Sequence, residues 1–238
     1  MRKKNVLLLS LSVVLGMTVL TGCAPLLIGG AVGTTALVTT DRRSTGAQMA
    51  DEVMETRVGY EISQTIPEQD LHLTVTSYNR RILLTGEVTS DVYKQKAGRI
   101  AQRSLEVARV VNELKVMPLT SMSERVTDSL LASKVRAQLI GTSGVSLNQM
   151  KVCVDRGIVY LMGIVTPTEA HKAADIASRV SGVKSVVKVF EEMSDEQIRE
   201  RMKFLEAQKK SNLTEKDALE NQSQFESDLG ASSEVRLK

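Results

Sequence analysis

Apolar residues recur along this chain with two different periods, and the same succession of periods occurs twice. Between Met49 and Thr65, the residues Met54, Val58 and Ile62 return every four positions, the stripe of an amphipathic helix. Pro67 ends it, because the residue before a proline avoids helical backbone. Leu71, Leu73 and Val75 then alternate, as in a strand over Leu71–Ser77; Asn79 starts a turn and Ile82–Val88 returns as a second strand. A glycine inside that strand, Gly86, predicts a bulge or a close backbone approach. Thr89 is placed to cap a second helix, with Asp91 in its first turn favoured by the helix dipole, and Val107–Val116 supplies a third strand.

The second succession repeats the first. Leu84, Gly86, Val88 and Thr89 match Leu161, Gly163, Val165 and Thr166, each pair 77 residues apart, and Val58, Ile62 and Val75 match Val135, Leu139 and Val152 at the same offset. After the second helix the offset drops to 76, where Val107, Val110 and Val111 match Val183, Val186 and Val187. The second copy has a helix over Val126–Ile140, for which Ser123 or Thr127 is a cap, stopped by Gly141 and Gly144. Alternating Met150, Val152 and Val154, a turn at Asp155-Arg156-Gly157, and a returning strand over Ile158–Val165 follow. Thr166-Pro167-Thr168-Glu169 is a complete helix start, with N-cap Thr, Pro at N1 and Glu closing a capping box. Gly182 stops that helix. Each copy is therefore αββαβ, and the fold class is α+β: two tandem domains, each a short mixed sheet with helices on one face. Units of about 75 residues bury little surface alone, so packing of one repeat on the other is expected.

The ends follow different rules. Met1–Asn5 is basic, and Val6–Leu20 is apolar but shorter than the ~20 residues a spanning helix needs, which is signal-peptide architecture. It closes on Leu20-Thr21-Gly22-Cys23, which resembles a bacterial lipobox. That resemblance implies cleavage before Cys23 and a diacylglycerol and N-acyl chain on it, more than the two signals needed for stable anchoring. Ala24, where lipoproteins kept at the inner membrane usually carry Asp, favours the outer membrane and a periplasm-facing chain. The segments are then 1–22 signal peptide, 23–46 lipidated tether including a polar linker over Asp41–Gly46, 47–118 first domain, 119–193 second domain, and 194–238 a C-terminal helix and tail. Ser194-Asp195-Glu196-Gln197 is another capping box, and Ile198, Met202 and Leu205 carry a helix to about Lys210; the polar stretch from Ser211 reads as disordered.

Charge and chemistry narrow the function. The formal charge is +3, but Arg2, Lys3 and Lys4 leave with the signal, so 28 basic residues balance 28 acidic ones. A neutral chain with 3% aromatic residues and no phosphate loop argues against nucleic acid as a partner. From Leu119 to Met193 nine Lys/Arg stand against seven Asp/Glu, so the second repeat is mildly basic. No nucleophile–base set or metal-ligand spacing stands out, and the chain reads as non-enzymatic, with no cofactor besides the acyl groups on Cys23. His72 and His171 fall in different repeats. Cys153 aligns with Thr76 and reads as a half-buried thiol, or as a partner for intermolecular pairing in an oxidising compartment.

The helix Val126–Ile140 carries two stripes. Leu131, Val135 and Leu139 form the core stripe; Val126, Leu130 and Ala137 fall on nearly the opposite side, with Lys134 beside Leu130. Exposed carbon with an adjacent cation suits an anionic lipid surface. The alternative is that this stripe packs on the other repeat, since Met49, Val53 and Tyr60 make a second stripe at the equivalent first-repeat positions.

The pattern Val-x-x-x-x-Gly-x-Val-x-Leu-x-Gly at Val152–Gly163, a helix, and Gly-Val-x-x-Val at Gly182–Val186 resemble the BON domain, here in tandem over nearly all of Met49–Met193. In the first repeat Glu106 stands where Gly182 stands. With the lipobox, the resemblance is to tandem BON-domain lipoproteins of the outer membrane. It implies anionic phospholipid binding through the second domain and a role in cell-envelope integrity; the outward stripe of Val126, Leu130 and Ala137 with Lys134 supplies the candidate lipid contacts. A periplasmic adaptor that meets envelope proteins through these stripes is the alternative.

Overall fold

The computed structural model describes residues 41–234, and the signal peptide, Cys23 and most of the expected tether lie outside them. The first repeat consists of α1 (Thr45–Ser63), β1 (Leu71–Tyr78), β2 (Arg81–Val88), α2 (Asp91–Arg103), β3 (Arg109–Asn112) and β4 (Lys115–Val116). The second consists of α3 (Met122–Ile140), β5 (Met150–Asp155), β6 (Ile158–Val165), α4 (Pro167–Ser178) and β7 (Ser185–Glu192), followed by α5 (Asp195–Glu234). In each sheet the hairpin is antiparallel and the last strand joins the hairpin's second strand in parallel, so both sheets are mixed.

The capping chemistry differs in detail from expectation. Ser90, not Thr89, caps α2, because Thr89 Oγ1 is spent on Asp70. α3 begins one turn early: Ser121 is its N-cap, and Glu124 closes a capping box. α1 also starts earlier, at Ser44, so part of the expected polar linker is folded. The capping box of α4 on Thr166 and Glu169 is as expected. The third strand of the first repeat is broken at Glu113–Leu114, where Leu114 is fully buried and its amide is taken by the Asn112 side chain. The Ser211–Glu234 stretch, expected to be disordered, continues α5. It contains no proline, and Ile198, Met202 and Leu205 anchor the first turns of the same helix.

Both motif glycines of the hairpins are close approaches rather than bulges. The β1–β2 register runs unbroken through Leu73↔Gly86, and a Cβ on Gly86 would stand 2.0 Å from His72 O. On Gly163 it would stand 2.3 Å from Gln149 O. Glu106, in the place of Gly182, adopts the same left-handed backbone: φ is 70° at Glu106 and 102° at Gly182. The first repeat keeps the turn and accepts the strain of a side chain there.

Helices cover one face of each sheet, and the other two faces meet. Met54, Val58, Ile62, Ile82, Leu84 and Ala97 fill the first helix–sheet core; Leu131, Val135, Leu139, Leu161, Ala173 and Ala177 fill the second. A third core, of Tyr78, Leu83, Tyr160, Met162, Ile164 and Val189, lies between the sheets. The repeats therefore pack back to back through their strands, and the outward helix stripes stay uncovered. Equivalent positions face each other across this seam: Thr76 Oγ1 lies 3.1 Å from Cys153 Sγ, its counterpart 77 residues on. Burial raises the pKa of that thiol, consistent with the half-buried reading of Cys153.

Candidate functional site

Two buried aspartates build the hairpin turns. Asp51 projects from α1, and its carboxylate accepts from Asn79 N (2.7 Å), Arg80 N (2.9 Å) and Ser77 Oγ (2.7 Å). Arg43 donates to the same group at 2.8 Å. Asp128, 77 residues later on α3, accepts from Arg156 N (2.7 Å) and Gly157 N (2.9 Å). Each turn has two residues, both with positive φ, which is the primed geometry that leaves adjacent amides pointing at one acceptor. Burial works against the charge of Asp51, but the donors from Arg80, Ser77, Arg43 and Asn79 outweigh it and hold its pKa below 3.8. Neither aspartate stands out from sequence periodicity, since an acid on an apolar stripe breaks the pattern. Their shared offset is the signal that marks them.

Because Asp128 draws the 156–157 turn onto α3, a groove of about 290 Å³ opens between this helix, that turn and the Ser181–Lys184 loop. Leu130 and Leu131 give it an apolar wall, and Lys134, Arg156 and Lys184 bring three cations to it. The stem of Lys184 lies across Gly157, 3.2 Å from where a Cβ would be, and Leu131 packs under Gly182. Arg156 is tied to the first repeat, 3.4 Å from Glu87 Oε1. Lys134 and Lys184 form no ion pair among the described residues. Glu124 at the helix start is the groove's solvent-facing acid; hydrogen bonds from Ser121 and the charges of Arg156 and Lys184 lower its pKa.

Around the groove, α3 is apolar and open to solvent. Met122 is 69% exposed, Val126 56% and Leu130 60%. Of the four sequence candidates, Leu130 and Lys134 line the groove; Val126 and Ala137 are exposed on α3 but outside the lining. Sequence reasoning missed Arg156 and Lys184, which are distant along the chain and are brought in by the turn and the last loop. The first-repeat stripe of Met49, Val53 and Tyr60 is also exposed, so neither stripe packs on the other repeat.

A second polar cluster locks the repeats together. His72 Nδ1 lies 2.8 Å from Glu87 Oε2, Thr120 donates to Glu87 through both its amide and its hydroxyl, and Gly86 N donates to Asp155 at 3.2 Å. His72, Glu87 and Asp155 each place a potential metal-ligand atom within 4.8 Å of the others, but these atoms are already engaged in mutual and backbone hydrogen bonds. Burial and the nearby charge of Glu87 raise the pKa of Asp155. On Glu87 burial acts in the same direction, but bonds from Thr120 and His72 outweigh it and its pKa falls. At the other end of the seam the almost fully buried Arg42 forks onto Glu169 at 2.7 and 2.9 Å and donates to Ile164 O at 2.9 Å. The expected linker is thereby pinned to the second repeat.

Among the described residues no helix is long and apolar enough to cross a membrane. The chain matches the BON domain family over residues 50–118 and 127–192. It is similar to the outer membrane lipoprotein DolP of Haemophilus influenzae, with 38% identity over 182 residues covering 76% of this chain and 94% of that one. It is also similar to a 21 kDa hemolysin of Actinobacillus pleuropneumoniae, with 31% identity over 150 residues covering 63% and 77%. Among solved structures, the C-terminal domain of CdsD, the structural protein of the type III secretion system of Chlamydia trachomatis, aligns with a TM-score of 0.25 and 13% identity, over 60% of this chain and 98% of that one. That likeness is too slight to bear on the fold. Two domain matches at the positions of the two αββαβ repeats, with a relative alike over most of both chains, establish that this chain belongs to the BON-domain family and carries the domain in tandem.

Proposed function

We propose that the chain is an outer-membrane lipoprotein, anchored through acylated Cys23 and facing the periplasm, whose second BON domain holds anionic phospholipid and thereby supports envelope integrity without catalysing a reaction. The similarity to an outer membrane lipoprotein supports the location, and the lipobox supports the anchor. The observation that carries the lipid reading is the meeting of two cations that form no ion pair among the described residues, Lys134 of α3 and Lys184 of the loop before β7, with the uncovered apolar residues Val126 and Leu130 of α3. Phosphate oxygens meet the ammonium groups at the groove while the leucine and valine enter the acyl boundary. Each cation near an anionic surface adds about 1 kcal/mol of attraction, and a Debye length of about 8 Å at physiological salt makes that part of the binding salt-sensitive.

The test is co-sedimentation of residues 23–238 carrying Cys23→Ser with vesicles of phosphatidylcholine alone or with phosphatidylglycerol. Binding is expected with the anionic vesicles, weakened by salt, and lost in the Leu130→Glu, Lys134→Glu double variant. Absence of binding, or binding unchanged in that variant, refutes the lipid face and leaves the adaptor reading.

A further inference from the structure

The two repeats differ at the open edge of the hairpin. Among the described residues, β1 and β5 each pair on one side only, with β2 and β6. In an antiparallel ladder the residues of non-hydrogen-bonded pairs direct both N–H and C=O away from the partner strand. Tyr78 and Arg81 close the first two-residue turn, so Ser77 is such a residue, and its amide does point outward, to Glu55 Oε1 at 2.6 Å. Leu73 and Val75 share its parity and present their backbone groups to the same edge. The equivalent outward carbonyl in the second repeat is Val152 O, and there Arg136 Nη2 donates to it at 2.7 Å, so that carbonyl is already taken. The residue equivalent to Arg136 in the first repeat is Gly59.

A groove of about 650 Å³ lies between α1 and β1, with Gly59 and Tyr60 on one wall and Leu71, Leu73 and Val75 on the other, against about 440 Å³ beside Arg136 and Val152 in the second repeat. Its charged lining residues are Glu55 and Glu68; among the described residues no Lys or Arg lines it. Glu55 also meets Lys151 at 2.6 Å, at the end of the groove toward the second repeat, whereas Glu68 has no ion pair among the described residues. An open strand edge with apolar pockets at alternate positions is the geometry of strand addition, in which backbone bonds supply affinity and alternate side chains supply selectivity. The acidic lining selects the charge of the guest.

We propose that the edge of β1 takes up an extended basic segment of another protein as an added strand, making the first BON domain a peptide-docking module. Leu71 to Val75 spans five residues, enough for a guest stretch of similar length at about 3.3 Å per residue. The proposal is independent of the lipid reading, which concerns the other repeat.

The probe is a fluorescein-labelled peptide, Lys-Val-Thr-Val-Lys-Val-Thr-Lys, titrated with the full chain in detergent and followed by fluorescence anisotropy. Saturable binding is expected. It should weaken at least tenfold when alternate peptide amides are N-methylated, and at least tenfold when the lysines are replaced by glutamates. Gly59→Arg, which installs the second repeat's arginine, should weaken it to the same degree with the circular dichroism spectrum unchanged. Arg136→Gly should add a second binding site. No binding, or equal binding by the N-methylated peptide or by Gly59→Arg, overturns the proposal. Sedimentation showing a dimer that Gly59→Arg dissolves also overturns it, because the edge is then occupied by a second copy of the chain.

Discussion

Replacing Asp51 by Ala should unfold the first hairpin turn from beneath and cost about twice as much stability as replacing its counterpart Asp128. Asp51 is fully buried and accepts three neutral donors, Ser77 Oγ, Asn79 N and Arg80 N, besides the guanidinium of Arg43. The turn is partly wetted, so each stranded neutral donor costs about 1 kcal/mol, and the charge-assisted bond from Arg43 about 1–2 kcal/mol. The total is about 4–5 kcal/mol, a large part of the 5–15 kcal/mol that usually holds a domain together. Asp128 satisfies two amides, Arg156 N and Gly157 N, so Asp128→Ala should cost about 2 kcal/mol. Urea unfolding followed by circular dichroism measures both; thermal midpoints should fall by roughly 2–4 °C per kcal/mol in a unit of this size. Asp51→Asn, which keeps one acceptor, should fall between wild type and Asp51→Ala. If Asp51→Ala costs less than about 1 kcal/mol, or no more than Asp128→Ala, the carboxylate does not organise the turn and the reasoning fails.

Further outcomes are expected of the turns and of the seam carboxylates. Glu106→Gly should stabilise the chain by about 0.5–1 kcal/mol by relieving a side chain at φ 70°, while Gly182→Ala should destabilise it by about 1–2 kcal/mol because φ is 102° and the new Cβ meets Leu131 at 3.3 Å; chemical denaturation reads both. Asp155, whose folded pKa lies above 3.8, holds a proton that the unfolded chain has already released, so stability is lost as pH rises from 3.8 through the raised value and stays lost at neutral pH. Asp155→Asn should therefore raise the melting temperature at pH 7 and give no gain near pH 3, whereas Glu87 and Asp51, both held low, lose their contribution as pH falls below the ordinary carboxylate range.

The repeat offset and the two periods made the αββαβ order legible, down to the capping box on Thr166. They also held the clue to the seam: Ile158–Val165 is apolar on both faces, and in the structure its residues 159–165 are all buried. A continuous apolar run reports that both faces are covered but not by what, so the back-to-back sheets were not readable in advance. Arg42 was illegible for a related reason. A charged residue reads as surface until its partner is known, and Glu169 lies 127 positions away. The candidate face was half legible: Leu130 and Lys134 follow from one helix, whereas Arg156 and Lys184 reach the groove only through tertiary turns.

The central claim is that α3 of the second repeat, and not the equivalent stripe of the first, meets the membrane. The chain has no tryptophan, so a single introduced one is an unambiguous reporter. Leu130→Trp, in residues 23–238 carrying Cys23→Ser, should show blue-shifted emission with phosphatidylglycerol-containing vesicles and quenching by brominated acyl chains, while Tyr60→Trp should show neither. An unshifted Leu130→Trp on vesicle-bound protein, or a shift at Tyr60→Trp instead, would contradict the account.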